Sequence, residues 1–254
     1  DTELAMKRYV ALTRLDSLNA QASWKIERGV LTVDLAHADF AGRDAAGSAK
    51  GTYRAADDGP GVIDMTAALT RADARAVWRY LPNVVNRGAR HWLRDSLLAG
   101  RATEAKLILK GDLKDFPFLD KRLGQFLVTV KARDATIDYG TGWPRIEGIA
   151  GDLRFEGNGM TIEAQQGRIL GARLSNTQVR IPDFDAPVSV LLVKGQADGP
   201  TSEFLKFIER SPVAEQIDHF TEGMSAAGSG HLDIDLSIPL EEAKIGRASC
   251  RERV

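Results

Sequence analysis

Apolar and polar residues alternate with a period of two along most of this chain. Leu31, Val33 and Leu35 interleave with Thr32, Asp34 and Ala36, and Phe126, Val128, Val130 and Ala132 with Leu127, Thr129, Lys131 and Arg133. Leu153 and Phe155 sit between Asp152, Arg154 and Glu156, while Met160, Ile162 and Ala164 alternate with Thr161, Glu163 and Gln165. The run from Leu232 to Ile238 places Leu232, Ile234, Leu236 and Ile238 against Asp233, Asp235 and Ser237. Side chains of a strand point to opposite faces in turn, so each run predicts a strand with one apolar and one wet face, as in antiparallel sheets.

Turn residues punctuate these runs. Gly157-Asn158-Gly159 can supply the positive φ angles of a tight hairpin, and Arg28-Gly29 and Asp58-Gly59-Pro60-Gly61 are further turn signals. Spacing of such signals predicts roughly ten to twelve strands in one long antiparallel meander. Two helical islands interrupt it. Ala74, Val77, Trp78 and Leu81 fall at helical spacing between a cap at Asp73 and a stop at Pro82. A second helix is expected from an Asn86 cap through Ala89, Trp92, Leu93 and Leu97 to Gly100. The other island starts near Pro200 with Phe204, Leu205 and Ile208, and Ser211-Pro212 opens a further turn carrying Val213, Ile217 and Phe220. The expected division is a β-meander ending in a helix pair over 1–99, then a longer meander over 100–243 with a helical insertion near 200–220.

Residues 244–254 do not share this pattern. The string Ile245-Gly-Arg-Ala-Ser-Cys-Arg-Glu-Arg-Val254 looks like the in-frame translation of a sequencing adaptor, and it is expected not to be native. Without it the 34 basic and 35 acidic residues become 30 and 34, and the single cysteine, Cys250, disappears. A balance this close to neutral supplies no field for nucleic acid or an anionic membrane surface. No cysteine means no disulfide framework and no thiol nucleophile. The longest uncharged stretches are far below the ~20 apolar residues of a spanning helix, and Asp1-Thr-Glu-Leu4 has no leader-peptide character. Together these features predict a piece of a longer native protein.

Candidate chemistry is sparse. His231, Asp233 and Asp235 share one face of a strand and could in principle hold a divalent metal, but neighbours two apart converge poorly on tetrahedral geometry. A wet strand face already explains them. His91 and His219 sit on amphipathic helices, and His37 lies in a strand. No Gly-x-Ser-x-Gly elbow, phosphate-binding glycine loop or dinucleotide fingerprint is present. Paired acids such as Asp57-Asp58 and Glu241-Glu242 are ordinary in a chain this rich in carboxylates. No cofactor is implied, and the reading is of a protein that is not an enzyme. What remains is the apolar face, which must close on itself, stack, or curl around something. A closed, non-catalytic structural or interaction domain and an incompletely filled groove for acyl chains both satisfy the pattern; a hydrolase would need a convergent polar cleft.

Several motifs in order narrow the choice: Tyr80-Leu-Pro82, Trp92-Leu93, Gly100, Leu109-Lys-Gly-Asp-Leu-Lys-Asp-Phe-Pro-Phe118, Gly124-Gln-Phe126, and Tyr139 before Gly142-Trp-Pro144. They continue with Asp152-Leu-Arg-Phe-Glu-Gly-Asn-Gly159, Ile181-Pro-Asp183, Ser211-Pro-Val213, Gly228-Ser-Gly230 and Leu236-Ser-Ile-Pro-Leu240. This series resembles the YhdP branch of the AsmA-like, TamB-related proteins of Gram-negative bacteria over about residues 60–243. The resemblance implies a mainly β fold, a long antiparallel curved sheet forming a U-shaped apolar groove with short helical insertions. It further implies the periplasmic portion of an inner-membrane-anchored bridge that conducts phospholipid between inner and outer membranes and supports the outer-membrane barrier. Expected partners are phospholipid acyl chains, neighbouring segments of the same chain and, through other regions, the two membranes. The expected groove lining is Phe126, Val128, Val130, Leu153, Phe155, Ile162, Leu232, Ile234 and Leu236, with the helices carrying Trp78 and Trp92, and Phe204 and Ile208, as caps.

Overall fold

The computed structural model describes residues 15–81 and 87–240. The Pro82 stop, the Asn86 cap, the Glu241-Glu242 pair and the expected adaptor tail with Cys250 lie outside them. Eleven strands follow one another in a single antiparallel sheet whose spatial order is the sequence order. They are β1 (Leu15–Glu27), β2 (Val30–Gly42), β3 (Ala45–Arg54), β4 (Val62–Asp73), β5 (Leu97–Asp112) and β6 (Gly124–Ile137). The series continues with β7 (Ile146–Glu156), β8 (Gly159–Ile169), β9 (Ala172–Ile181), β10 (Val190–Pro200) and β11 (Ser229–Pro239). Among the described residues β1 and β11 each have one neighbour, so the sheet is curved and open rather than a closed barrel or sandwich. At ~4.8 Å per strand it is about 50 Å long across the strands.

Turn chemistry follows the residues. Arg28 and Gly29 both have positive φ (51° and 83°) in the β1–β2 hairpin, and Gly157 (φ 55°) opens the β7–β8 turn. Curvature comes from bulges. The register slips between Ala132 and Ala135 in β6 and between Glu147 and Ala150 in β7, where Asp134 (φ 54°) and Gly148 (φ 60°) adopt left-handed backbone. β9 has its own left-handed residue at Asn176 (φ 48°), beside the β10 slip between Lys194 and Gln196. An extra residue on one strand of a pair bends it, and bulges on successive strands fold the whole sheet along a line.

Side chains on the inside of such a bend converge, and the sequence puts small residues there. Ala45, Ala72, Ala102, Ala132, Gly151, Ala164 and Thr177 form a paired row from β3 to β9. Of eleven buried apolar residues among the described ones nine are alanine, and no large side chain there is fully buried. A conventional core of interlocked Leu, Ile and Phe is therefore absent from the described residues; the sheet is held by its ladders and by a thin apolar face.

Among the described residues four short helices sit at one rim. α1 (Val77–Tyr80) follows a 3-10 turn, Ala74–Ala76, capped as expected by Asp73, whose Oδ1 accepts the Arg75 N–H at 2.9 Å. α2 (Arg87–Ser96) ends four residues before Gly100. Leu97 and Gly100 instead begin β5, because their backbone pairs with β6: Leu97 faces Ile137 and Gly100 lies against Ala135. The expected division at Ala99–Gly100 falls inside β5. α3 (Thr201–Glu209) and α4 (Val213–Gln216) connect β10 to β11, with Ile217 and Phe220 beyond them in turns.

Candidate functional site: an open apolar trough

Pairing register fixes which residues share a face. Leu18, Phe40, Gly47, Leu69, Ala105 and Val130 pair in succession from β1 to β6. Leu153, Ile162, Val179, Val193 and Leu236 carry the same row on to β11. A second row runs beside it through Leu107, Val128, Phe155, Met160 and Ile181. A third contains Leu35, Gly51, Met65, Leu109 and Phe126. None of these positions is charged or polar.

All nine residues singled out from the sequence lie on this one face. Val130, Leu153, Ile162 and Leu236 belong to the first row, Val128 and Phe155 to the second, and Phe126 to the third. Leu232 and Ile234 follow from unbroken alternation along β11, where they pair with Ala197 and Gly195. They are not sealed. The six on β6 to β8 and Ile234 are half-buried, and Leu232 and Leu236 are 49% and 48% exposed. No second layer covers the face within the described residues.

The opposite face is wet and ionic. Lys106, Thr129, Arg154, Thr161 and Arg180 form a row back to back with the apolar ones. Glu104 bridges Lys106 (2.8 Å) and Lys131 (3.1 Å), whose ammonium groups, Lys106 first, hold its carboxyl below the usual range. Lys110–Asp64 (2.7 Å) and Lys194–Asp235 (3.4 Å) continue the pattern. His231, Asp233 and Asp235 lie on this outer side. The His231 Nδ1 is 2.8 Å from Asp198 and its Nε2 is 3.5 Å from Asp233, and the Asp198 hydrogen bond raises its pKa above the ordinary value. Among the described residues no cluster of three or more His, Cys, Asp or Glu is placed to hold a metal ion.

Both rims fold inwards over the trough. On one, the loop between β5 and β6 lays Phe118 against Gly111 and Gly124, with its ring where a Cβ on either glycine would stand. Phe116 packs on Phe126 with ring centroids 5.1 Å apart. On the helical rim, Phe204 of α3 occupies the space over Gly230, next to Leu232 on the same face, and Ala74 packs over Gly100. The Glu203 carboxylate accepts the Gly171 N–H at 2.9 Å, tying α3 to the β8–β9 turn. Tyr139, Trp143 and Phe207 stack at 6.0 and 5.9 Å, and the Trp92 indole donates to the Tyr139 carbonyl at 3.4 Å. Burial and the nearby Asp138 carboxylate push the Tyr139 phenol up to about 12. Trp78 is stacked beneath the Arg79 guanidinium at 5.4 Å.

A profile of the YhdP protein family matches residues 1–251. The chain belongs to the YhdP family. One relative is the intermembrane phospholipid transporter YhdP of Escherichia coli K12, 25% identical over 179 residues. That match takes in 70% of this chain but only 14% of the relative's length. No solved structure is significantly similar. The YhdP family thus includes a phospholipid transporter, and the chain adds to it an open, one-sided β-trough. Among the described residues no helix is long and apolar enough to cross a membrane.

Sequence reasoning did not find the alanine line or the bulges that bend the sheet. Its signal was present as small residues at alternate positions, Ala45, Gly47, Ala49 and Gly51, but these carry little hydrophobic contrast with their neighbours.

Proposed function

We propose that this segment is part of a bridge that conducts phospholipid between the inner and outer membranes, with acyl chains lying in the trough and headgroups outside it. The observation that carries this reading is the uncharged row from Leu18 to Leu236, unbroken over eleven strands and uncovered by a second layer. A lipid leaving a bilayer exposes its chains to water at ~0.8 kcal/mol per CH₂, and an apolar path that never stops removes most of that barrier. No group in the trough needs to react. Phe126, Val128, Val130, Leu153, Phe155, Ile162, Leu232, Ile234 and Leu236 line the path. Among the described residues β1 and β11 each have an unpaired edge, onto which neighbouring segments of a longer chain continue the same trough. The setting is the periplasm, the anchor and both membrane contacts belong to other regions, and the output is an intact outer-membrane barrier.

Photocrosslinking tests the path. Probes at Val128 and Ile234, and at their outward neighbours Thr129 and Asp235, are placed in the protein in cells, and covalent phospholipid is assayed. Adducts at the first pair alone are expected. Adducts at neither, with normal expression, would mean that the face is packed against protein and that the conduit reading fails here.

A further inference from the structure

The loop between β5 and β6, residues 113–123, has two chemically distinct sides. On one, Phe118 is 3% exposed, and its ring stands over Gly111 and Gly124, which pair with each other across the two strands. Gly111 continues the inward alternation of Leu107 and Leu109, and Gly124 that of Phe126 and Val128, so the ring lies on the trough side of the sheet. Phe116 lies on that side too, with its ring centroid 5.1 Å from that of Phe126 and 6.1 Å from that of Phe118. On the other side, the loop's cations reach back to carboxylates in the outward alternation of β5 and β7: Lys114 to Asp112 at 3.1 Å and Lys121 to Glu156 at 2.9 Å. The Leu113 N–H donates to the Gly61 carbonyl at 2.9 Å. The loop is thus tied at three places, with its rings over the trough and its charges turned away from it.

The two rings differ in what they touch. Phe118 fills the gap that two facing glycines leave in the floor, and packing accounts for it. Phe116 stands beside it and is left 44% exposed. It adjoins Phe126, which belongs to the apolar row through Leu35, Gly51, Met65 and Leu109. A chain following that row across β5 and β6 passes along the open face of the Phe116 ring. A one-sided trough shields an acyl chain from below only, and an aromatic ring standing at its margin removes further apolar surface from water. We infer that Phe116 is a side wall of the lipid path, a positioning residue that holds phospholipid acyl chains against the floor at Leu109 and Phe126. The inference rests on the trough carrying lipid, and it assigns to that path a residue outside the strands.

Three crosslinking probes, each in the full-length protein in cells, test the wall: Phe116 itself, Arg122 on the charged side of the same loop, and Val130 on the floor. Phospholipid adducts are expected at Phe116 and Val130, and about fivefold or more fewer at Arg122. Transfer of labelled phospholipid between vesicles by the whole protein supplies the second readout. Phe116→Ala empties the space without adding charge and should transfer within about twofold of the parent, whereas Phe116→Asp places a carboxylate beside the chains and should slow transfer about tenfold or more. Equal slowing by both variants would show that the ring only supports the loop, and would overturn the wall. So would Phe116→Asp transferring like the parent, or Phe116 unlabelled while Val130 is labelled; both results leave the conduit standing. Absence of label at Val130 in the otherwise unsubstituted protein would overturn wall and conduit together.

Discussion

Placing a carboxylate on the trough floor separates an open lipid path from a packed core. Val130 lies mid-sheet in the central row between Ala105 and Leu153, so an aspartate there has no basic neighbour on its own face. The side chain is half-buried and faces no second layer. Full burial of a valine is worth ~1.5–3 kcal/mol, so Val130→Asp should cost only about 1–2 kcal/mol in folding. In a sealed core the same change would strand a charge and cost several kcal/mol. Transport should respond differently. Acyl chains sliding over the site must strip water from the carboxylate or force it to take up a proton. Protonation at pH 7 from an ordinary carboxyl value near 4 costs about 4 kcal/mol, and this caps the barrier. At 1.4 kcal/mol per factor of ten, transfer should slow by up to roughly a thousandfold. The rate should recover about tenfold for each pH unit between 7 and 5, since acid makes the neutral form cheaper. The assay is transfer of labelled phospholipid between vesicles by the whole protein, with denaturant unfolding alongside. Thr129→Asp is the control. Its position on the outer face pairs with Lys106 and Arg154, so it should transfer normally and fold at least as well. A Val130→Asp protein that transfers within twofold of the parent, or that fails to fold, would refute the open-path argument.

Two further outcomes follow from the rims. Gly111→Ala puts a methyl 2.7 Å from the Phe118 Cε1 at a left-handed backbone position (φ 131°), so the Phe118 loop must lift. A loss of about 1–3 kcal/mol in denaturant unfolding is expected, with faster proteolysis within residues 113–123. The Tyr139 phenol, raised chiefly by burial, should ionise at about 12 in an ultraviolet titration, where an exposed tyrosine ionises near its ordinary value. Because the folded value lies above the unfolded one, its stabilisation is fully present below the ordinary tyrosine range and is lost as pH climbs towards 12. Titration of Tyr139 together with an exposed tyrosine would contradict the packed cluster of Tyr139, Trp143 and Phe207.

The trough was legible where side-chain contrast is high. Val128 and Val130 against Thr129 and Lys131, or Ile234 against Asp233 and Asp235, state their faces outright, because a period of two admits one assignment. The sheet's bend was hidden for the converse reason: alanine on the inside of a curve is chosen for size, and size has no polarity to read. The Leu97–Gly100 stretch misled because Trp92, Leu93 and Leu97 keep helical spacing across a boundary that the ladder to Ile137 decides.

Among the described residues every strand pairs only with the strands before and after it in sequence. Such a sheet is quasi-one-dimensional: its contacts are local, its folding can spread hairpin by hairpin, and its stability is close to a sum of nearest-neighbour terms. Removing or duplicating one hairpin would change the span by about 10 Å and leave the cross-section as it was. Length in this architecture can therefore drift over evolutionary time, hairpin by hairpin, while the cross-section is inherited unaltered.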